Sequence, residues 1–424
     1  MKVLQIASGD FFSTYGGGQV YVKNIVDEMR RQGRDVTVVS FLPDGEAVRK
    51  DYRGADLYEM GHDDHESLFR LVEEIAPDVI HAHSHKGMAV QIGRALGIPV
   101  VITSHHGGIV CPAGTLLDCR DRICTTTASH RHCLRCVLRN TRGGLAVYPL
   151  MRLLPRRVYL SLGRWLDRLP FILFVTPIGG VARHIAAKAE EWRTITTGCT
   201  RMIAPCRRLA EAMTANGLPK GKVIILPHGI PLPKAVPHFP PVTEGGVRFF
   251  YVGRISYVKG LHTLLEAFHR LDAPRAELHL IGGAATKSER RYETRLRRRY
   301  GADERIVWHG KVRPEEVYKM TENFHVSSSS AAFLEAFGLN ISEALALGKP
   351  VLATRNGGAE MQIEDGVNGW LVPSNDAEAM RQKMDEIVHT LHTFDTRLAT
   401  RAVVPIDTHC RKLWEIYEQT LTLL

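Results

Sequence analysis

The sequence lacks any run of about 20 uncharged apolar residues, which is the length that a transmembrane helix needs. Its longest apolar stretch, 171–182, is shorter and contains Pro177, Gly179 and Gly180. The first residues also lack an apolar core followed by a small-residue cleavage site, so we see no signal peptide. We therefore expect a cytoplasmic protein, either free or peripheral at the inner face of the cell membrane.

Lysine and acidic residues are nearly missing from 120–170. This segment holds eleven Arg, no Lys and two acids, and it carries almost all of the net charge of +10. Such a basic segment is typical of a nucleic-acid binder or of a surface that meets anionic lipid. In a helical projection of 156–168, Arg157, Arg164 and Arg168 lie opposite the apolar residues, which suits a membrane surface. The alternative is a surface helix whose apolar stripe packs on its own domain.

The pattern of apolar runs predicts two domains of the α/β fold class. In both halves of the 424 residues, short strands alternate with helical patterns, which implies parallel pairing. In the second half we predict a strand at 248–252 and helices at 341–347 and 377–390. A proline-rich stretch at 231–241 predicts a linker. The assigned parts are a first domain at 1–228 with an insertion at about 107–170, a second domain at 245–404, and a helix at 405–424 that crosses back.

Two cations follow the predicted strand at 248–252. Arg254 comes after the glycine that ends the strand, and Lys259 precedes Gly260 and a helical run. Ligands of parallel sheets bind outside the carboxyl ends of the strands. There, Arg can hold a phosphate with two hydrogen bonds, while Lys supplies a point charge. The alternative is that both are solvated surface cations.

Glu335 and Glu343 flank a predicted helix start. We predict Asn340 as the N-cap and Glu343 at the third helical position, so that the two residues form a capping box. The amides of 337–339 would then lie just before the helix and face an anion. Two carboxylates beside an anion site suit the hydroxyl groups of a sugar and a ribose. The alternative is a helix cap and an ordinary surface acid.

Motifs follow one another in a fixed order along the whole chain. The first half carries Gly16-Gly17, Gly33, His81-x-His83 and Thr103-x-His105, and the second half carries Val252-Gly253-Arg254, Lys259-Gly260, Glu335-x7-Glu343, Gly348-x-Pro350-Val351, Gly357-Gly358 and Asp365-Gly366-x-x-Gly369. This order resembles the retaining glycosyltransferases of family 4. The resemblance implies the GT-B fold, with two facing Rossmann-like domains and an active site in the cleft between them.

The resemblance also implies roles for individual residues. Arg254 and Lys259 would neutralise the diphosphate of a nucleotide-sugar donor, Glu343 would hold the ribose, and Gly17 would let the backbone approach the donor. His105 would contact the sugar or the acceptor. The implied reaction centre comprises His105, Glu335, Arg254 and Lys259. The implied donor site comprises Gly16, Gly17, Arg254, Lys259, Glu335, Phe337, Gly338, Leu339 and Glu343.

The implied reaction moves a sugar from a nucleotide-diphosphate sugar to a hydroxyl of a glycan or lipid-linked glycan, with retention of configuration. It needs no divalent metal, because cationic side chains stabilise the departing diphosphate. The sequence departs from the family pattern at Ala336, Asn340, His106 and His228, which leaves the base and the sugar of the donor open.

Five of the eight cysteines lie between 111 and 136. In a cytoplasmic protein, clustered cysteines indicate metal more often than disulfides. The spacing Cys111-x12-Cys124-x8-Cys133-x2-Cys136 predicts a four-thiolate site for zinc or an iron–sulfur cluster, with Cys119, His130 and His132 as substitutes or neighbours. The alternative is that these cysteines are buried without metal. Cys199, Cys206 and Cys410 are predicted to lie in the core.

Three other functions compete with sugar transfer. A dinucleotide-dependent oxidoreductase would also use paired α/β domains, but the Gly-x-Gly-x-x-Gly fingerprint is absent after the first strand. A cysteine–metal protein that binds nucleic acid would fit the basic segment, but it lacks a recognition-helix pattern, so we expect no nucleic-acid partner. A sugar-nucleotide epimerase of the same fold would need an acid–base set that the sequence does not reveal.

Overall fold

The computed structural model describes all residues except 8, 10, 13–15, 43–47, 62–63, 140–143, 154, 156, 159–160, 162–175, 244–245 and 424. The described residues form two compact units. The first unit comprises 1–120, 124–229 and 406–424, and the second comprises 121–123 and 230–405. The proline-rich stretch at 231–241 therefore belongs to the second unit.

Strands and helices alternate along both units. The strands are β1 Lys2–Ile6, β2 Asp35–Leu42, β3 Val48–Tyr52, β4 Ala55–Gly61, β5 Val79–Ala82, β6 Val100–Thr103, β7 Arg201–Ala204, β8 Val223–Ile225, β9 Arg248–Val252, β10 Glu277–Ile281, β11 Ile306–Gly310, β12 Val326–Ser329, β13 Val351–Thr354 and β14 Gly369–Val372. The helices are α1 Gly17–Arg31, α2 His65–Ile75, α3 Lys86–Leu96, α4 His130–Arg139, α5 Gly144–Met151, α6 Thr176–Gly198, α7 Arg207–Ala215, α8 Leu261–His269, α9 Lys287–Tyr300, α10 Pro314–Thr321, α11 Leu339–Ala346, α12 Ala377–Thr390 and α13 Ile406–Leu421.

The first unit is built on an eight-stranded sheet with the order β3-β4-β2-β1-β5-β6-β7-β8. Its strands pair in parallel, except that β3 and β4 form an antiparallel edge hairpin. The central strands β5 and β6 are buried along their whole length, because helices cover both faces of a parallel sheet. The C-terminal helix α13 packs against α1 in this unit.

The second unit has a six-stranded parallel sheet with the order β11-β10-β9-β12-β13-β14. Neighbouring residues on β9 point to opposite faces, as strand geometry requires. Phe249 packs in a core with residues of α8 and α12, whereas Phe250 packs in a separate core with residues of α11. Helices therefore cover both faces of this sheet.

The predicted fold class is confirmed: both units are α/β, with parallel sheets. The predicted strand at 248–252 and helix at 377–390 agree with β9 and α12. Within the described residues, no helix is long and apolar enough to cross a membrane. Arg164 and Arg168 of the predicted basic helix lie outside the described residues, so that prediction stays untested.

Candidate functional site

In the second unit, the segments that follow β9 and β12 are joined at the carboxyl edge of the sheet. β9 and β12 are neighbours in the sheet, so both chains leave it at the same edge. The Ala332 amide donates to the Val258 carbonyl at 2.8 Å, and the Ser330 hydroxyl donates to the Lys259 carbonyl at 3.0 Å. These two bonds fix the backbone of Lys259 beside the loop that leads to Glu335.

Lys259 and Glu335 form an ion pair at this junction. The Lys259 ammonium donates to Oε1 of Glu335, and the two side chains are only 24% and 11% exposed. Limited contact with water strengthens the attraction relative to a pair on an open surface. The resemblance places Lys259 and Glu335 in one donor site. The structure brings these two residues into contact, although they are 76 positions apart in the sequence.

Gly260 is required for this close approach. Its φ is +66°, a left-handed conformation that favours glycine. A Cβ atom at this position would lie 1.9 Å from the Ser330 carbonyl oxygen, which is far inside van der Waals contact. Any other residue would therefore push the segment after β9 away from the segment after β12.

A buried glutamine, Gln362, forms hydrogen bonds that hold the backbone around Phe337 in place. The Gln362 amide nitrogen donates to the carbonyl of Phe337 at 2.6 Å and to that of Gly358 at 3.2 Å. The Glu335 amide donates to the Asn356 carbonyl at 3.1 Å. Because these carbonyls are fixed, the amides at the start of α11 are also fixed in direction.

The predicted capping box at Asn340 and Glu343 is wrong. Helix α11 begins at Leu339, with Gly338 as its N-cap at φ 82°, and no described side chain caps it. Gly338 adopts the left-handed conformation at the N-cap, a role that we predicted for Asn340. The helix therefore starts two residues earlier than predicted. Leu339 is the first helical residue, and Glu343 is the fifth. An uncapped helix start leaves amide groups for an anion.

Glu343 is partly buried and does not serve as a helix cap. Burial raises the pKa of its carboxyl group above the usual range. The carboxylate also raises the pKa of Tyr318, after the larger effect of burial on that phenol. Because this carboxyl group does not cap the helix, its oxygens are available to accept hydrogen bonds from ligand hydroxyls.

Arg254 lies on the loop directly after β9 and is 55% exposed. Its guanidinium pairs with Glu289 at 3.2 Å, and its backbone carbonyl accepts a hydrogen bond from the Tyr251 hydroxyl at 2.8 Å. Glu289 is also the third residue of α9, where it completes a capping box with Thr286. The charge of Arg254 is therefore balanced at present by a carboxylate that already caps a helix.

In the first unit, the glycine-rich turn meets His105. Gly16 is the N-cap of α1, and its amide donates to the Gln19 side chain at 2.9 Å. Gly17 is the first helical residue. A Cβ atom on Gly18 would lie 3.3 Å from the His105 ring, so the third glycine is the one that packs on the histidine. Gly18 therefore makes the close approach to His105, and it lies outside the donor site that the resemblance implies.

His105 belongs to a cluster of neutral aromatic side chains. Its Nε2 atom lies 3.0 Å from Nδ1 of His83, and its ring packs against the edge of Tyr21 at 5.3 Å. Tyr21 also stacks on His228 at 3.9 Å between ring centroids. Burial holds the pKa values of His83, His105 and His228 well below the usual range, so these imidazoles are uncharged at neutral pH.

The cysteine-rich segment is folded against the first unit. Helix α4 carries Cys133 into a core with α6, and burial raises the pKa of the Cys133 and Cys136 thiols to about 11 each. Both thiols interact electrostatically with Cys111 and Cys124. No group of three or more described His, Cys, Asp or Glu side chains is arranged to hold a metal ion, so the metal site stays a prediction. Cys199, Cys206 and Cys410 are buried in the core, as predicted.

Two family models match the chain. Residues 239–399 match the model described as Glycosyl transferases group 1, and residues 15–137 match the model described as Glycosyltransferase Family 4. Together the two segments cover more than half of the sequence. The chain belongs to the GT4-type glycosyltransferases. This family was expected from the motif order, and the expectation is confirmed.

Individual relatives of this GT4-type chain match it over shorter segments. Sucrose synthase of Acidithiobacillus caldus is 30% identical over 193 residues, which are 40% of this chain and 24% of that protein. O-antigen chain mannosyltransferase C of Escherichia coli is 30% identical over 147 residues, which are 34% of this chain and 38% of that protein. The matched part of the chain therefore spans less than half the length of these relatives.

A solved structure agrees with the GT4-type assignment at the level of the fold. The crystal structure of Anabaena Alr3699/HepE in complex with UDP and glucose has a TM-score of 0.67 and 15% sequence identity, and the alignment covers 99% of both chains. At this identity the likeness concerns the fold, which is GT-B.

Proposed function

We propose that this protein is a retaining glycosyltransferase that uses a nucleotide-diphosphate sugar. The observation that carries the proposal is the junction of Lys259 and Glu335 beside the uncapped start of α11. At this junction a cation, a carboxylate and the amides of a helix start without a side-chain cap offer partners to a diphosphate and to sugar hydroxyls at once. Membership in the GT4-type family supports the same chemistry.

In this proposal the donor exchanges partners with the protein. Lys259 would leave Glu335 for the diphosphate, and Glu335 would then accept hydrogen bonds from the transferred sugar. Arg254 would add a second positive charge, and Glu343 would hold the ribose. Because the leaving diphosphate gains negative charge in the transition state, such cations lower the barrier without a divalent metal.

The proposed acceptor is a hydroxyl of a glycan or lipid-linked glycan. The match to an O-antigen mannosyltransferase supports an acceptor of the cell envelope. A basic segment at 120–170 would suit an anionic membrane surface, where lipid-linked glycans reside. The match to sucrose synthase supports sugar transfer in general.

We also propose that Cys111, Cys124, Cys133 and Cys136 hold zinc or an iron–sulfur cluster. None of the eight cysteines, all of which lie in the described part of the sequence, forms a disulfide, and those of this segment lie close enough to interact. Metal analysis and an absorbance spectrum of anaerobically purified protein test this. We expect a stoichiometric metal content that falls in a Cys133→Ser variant and stays unchanged in Cys199→Ser. A metal-free preparation with all thiols reactive would contradict it.

A ligand screen tests the donor proposal. Thermal shift and calorimetry would be measured with UDP, GDP, ADP and dTDP, with NAD, and with duplex DNA. We expect one nucleoside diphosphate, and the nucleotide sugar that contains it, to stabilise the protein by mass action. Stabilisation by NAD alone would favour an oxidoreductase, and salt-sensitive DNA binding alone would favour a nucleic-acid binder. For the active donor, NMR of the product anomer tests retention, and conversion of the donor without an acceptor would favour an epimerase.

A further inference from the structure

A line of buried polar side chains runs through the first unit and ends at His105. We call it the histidine chain. Every inner member is at most 4% exposed. The members lie on β1, β5, β6, α1 and α13 or directly follow β5, and they are Gln5, Tyr21, His81, His83, Thr103, His409 and Tyr417, with His105 at the end. Burying so many polar groups is tolerated only when each is hydrogen-bonded.

The links of the histidine chain are short. From one end, Nδ1 of His409 lies 2.9 Å from the Pro227 carbonyl oxygen, and its Nε2 lies 2.8 Å from the Tyr21 hydroxyl. Burial raises the pKa of Tyr21 and a side-chain hydrogen bond from Thr103 lowers it, which places the Thr103 hydroxyl beside the Tyr21 oxygen. From the other end, His105 Nε2 lies 3.0 Å from His83 Nδ1.

The middle of the histidine chain joins these two ends. Nε2 of His81 lies 2.8 Å from the Thr103 hydroxyl, and its Nδ1 lies 2.6 Å from the Tyr417 hydroxyl. Gln5 then bridges two members, because its amide nitrogen donates to Tyr417 at 3.1 Å and its amide oxygen lies 2.9 Å from His83 Nε2. Contacts at hydrogen-bond distance therefore run from Thr103 through His81, Tyr417, Gln5 and His83 to His105, and a second set runs from Tyr21 through His409 to Pro227.

The Pro227 carbonyl sets the direction of every hydrogen bond in the first half of the histidine chain. A carbonyl oxygen only accepts, so Nδ1 of neutral His409 must carry the proton, and its Nε2 must accept from Tyr21. Tyr21 has then used its one proton and must accept from Thr103. Thr103 has likewise used its proton and must accept from Nε2–H of His81.

The direction of the hydrogen bonds continues through the second half of the histidine chain. Neutral His81 with a proton on Nε2 has an acceptor at Nδ1, so Tyr417 donates to it and accepts from the Gln5 amide nitrogen. The Gln5 oxygen accepts from Nε2–H of His83. His83 is then an acceptor at Nδ1, so His105 must donate from Nε2.

We propose that the histidine chain fixes the tautomer of His105, with the proton on Nε2 and a lone pair on Nδ1. No described residue hydrogen-bonds to Nδ1, and the His105 side chain is partly exposed. Nδ1 would therefore accept a hydrogen bond from a substrate hydroxyl. The other members are positioning residues, because they act through His105. This role for Nδ1 rests on the proposed sugar transfer.

Burial keeps the histidines of the histidine chain neutral, so each ring has one donor and one acceptor nitrogen. Burial lowers the pKa of His81 to about 3 and that of His409 to about 4. Lys86, whose ammonium donates to the His83 carbonyl at 2.6 Å, adds a positive charge nearby that further disfavours protonation of His83 and His105.

Nitrogen NMR on the full chain with labelled histidine tests the tautomer directly, without substrate. The His105 signals are assigned by their loss in a His105→Gln variant. We expect the wild-type protein to carry the His105 proton on Nε2. In Tyr417→Phe, which removes the hydroxyl between His81 and Gln5, we expect a mixture of both tautomers. Thr103→Val, of nearly equal size, interrupts the chain at another link and should act alike. Tyr52→Phe is the matched control, because Tyr52 is a tyrosine of the first unit that does not belong to the histidine chain.

Kinetics with the active donor test the consequence. In Tyr417→Phe and Thr103→Val, kcat should fall about tenfold or more, while the KM for the donor changes little, since misplaced hydrogen bonds near the reacting atoms chiefly affect the transition state. A wild-type proton on Nδ1, or an unchanged tautomer in both variants, would overturn the proposal. A correct tautomer in a protein that binds no nucleoside diphosphate would instead count against the proposed function.

Discussion

The ammonium group of Lys259 and the carboxylate of Glu335 neutralise each other at the carboxyl edge of the second sheet. A donor diphosphate that binds here must compete with Glu335 for the lysine. In the proposed exchange the two charges neutralise each other before the donor binds, and the Glu335 carboxylate would afterwards be available to sugar hydroxyls.

The first prediction concerns the positive charge of Lys259. In Lys259→Met, which keeps the length of the side chain, affinity for the nucleoside diphosphate should fall about 10-fold to 100-fold, because a charge-assisted hydrogen bond to phosphate is lost. Calorimetry measures this loss. The control is Lys319→Met, an exposed lysine of the same unit, which should bind as the wild type does. Equal affinities in the two variants would contradict the assigned role of Lys259.

The second prediction uses two glycines with similar left-handed backbones. Gly366→Ala, at φ +80° with open space around it, should lower the free energy of unfolding by about 1–2 kcal/mol, which is the cost of the conformation alone. Gly260→Ala should cost more, because its new Cβ would also meet the Ser330 carbonyl. Denaturant unfolding compares them. Equal losses would show that the two segments separate easily, and that their close packing is not required.

The third prediction concerns the buried amide of Gln362. In Gln362→Leu, the carbonyls of Phe337 and Gly358 lose their donor, so stability should fall by about 1–3 kcal/mol. Donor affinity should fall too, because the start of α11 is no longer fixed. Gln382→Leu, on the exposed side of α12, is the control for both measurements. A stable Gln362→Leu variant with normal donor affinity would contradict this reading of the loop.

The fourth prediction is a loss of stability in mild acid. Burial lowers the pKa of His81 to about 3 and that of His409 to about 4 in the folded chain, whereas both return to about 6.5 on unfolding. Below pH 6.5 the unfolded chain therefore binds protons that the folded chain does not. Each such histidine should remove about 1.4 kcal/mol per pH unit as the pH falls from 6.5 towards those lower values.

Urea unfolding between pH 7 and pH 5 measures this slope, above the range in which most carboxylates titrate. In a His409→Gln variant, the free energy of unfolding should fall less steeply with decreasing pH than in the wild type. The difference should equal the contribution of one histidine. His392→Gln, an exposed histidine of the second unit, should leave the slope unchanged. Constant stability across this interval would mean that the buried histidines are protonated equally in both states.

The sequence predicts the second unit better than it predicts the first. The strand at 248–252 and the helix at 377–390 follow from local apolar patterns, and the rule that ligands bind at the carboxyl ends of parallel strands brings Lys259 towards Glu335. The helix start at Gly338 was missed, because a left-handed glycine cap leaves no polar signal of the kind that Asn340 offered. Gln362 was missed because its partners are backbone carbonyls.

The histidine chain could be predicted only in part. His81 lies on β5 and His83 directly follows the end of that strand, and the motif order marked both. Tyr417 lies 336 residues from His81 and 412 from Gln5, so no local pattern connects them. The fold brings these residues together because α13 returns to the first unit.

Sugar transfer itself is tested most directly by nucleoside diphosphate release from sugar-nucleotide donors. The purified full chain would be incubated with UDP-, GDP-, ADP- and dTDP-sugars and a panel of glycan and lipid-linked acceptors. We expect release with at least one donor that rises when an acceptor is added, falls about 100-fold or more in Lys259→Met, and is unaffected in Lys319→Met. Equal release from wild type and Lys259→Met, or no release from any donor that binds, would contradict the account.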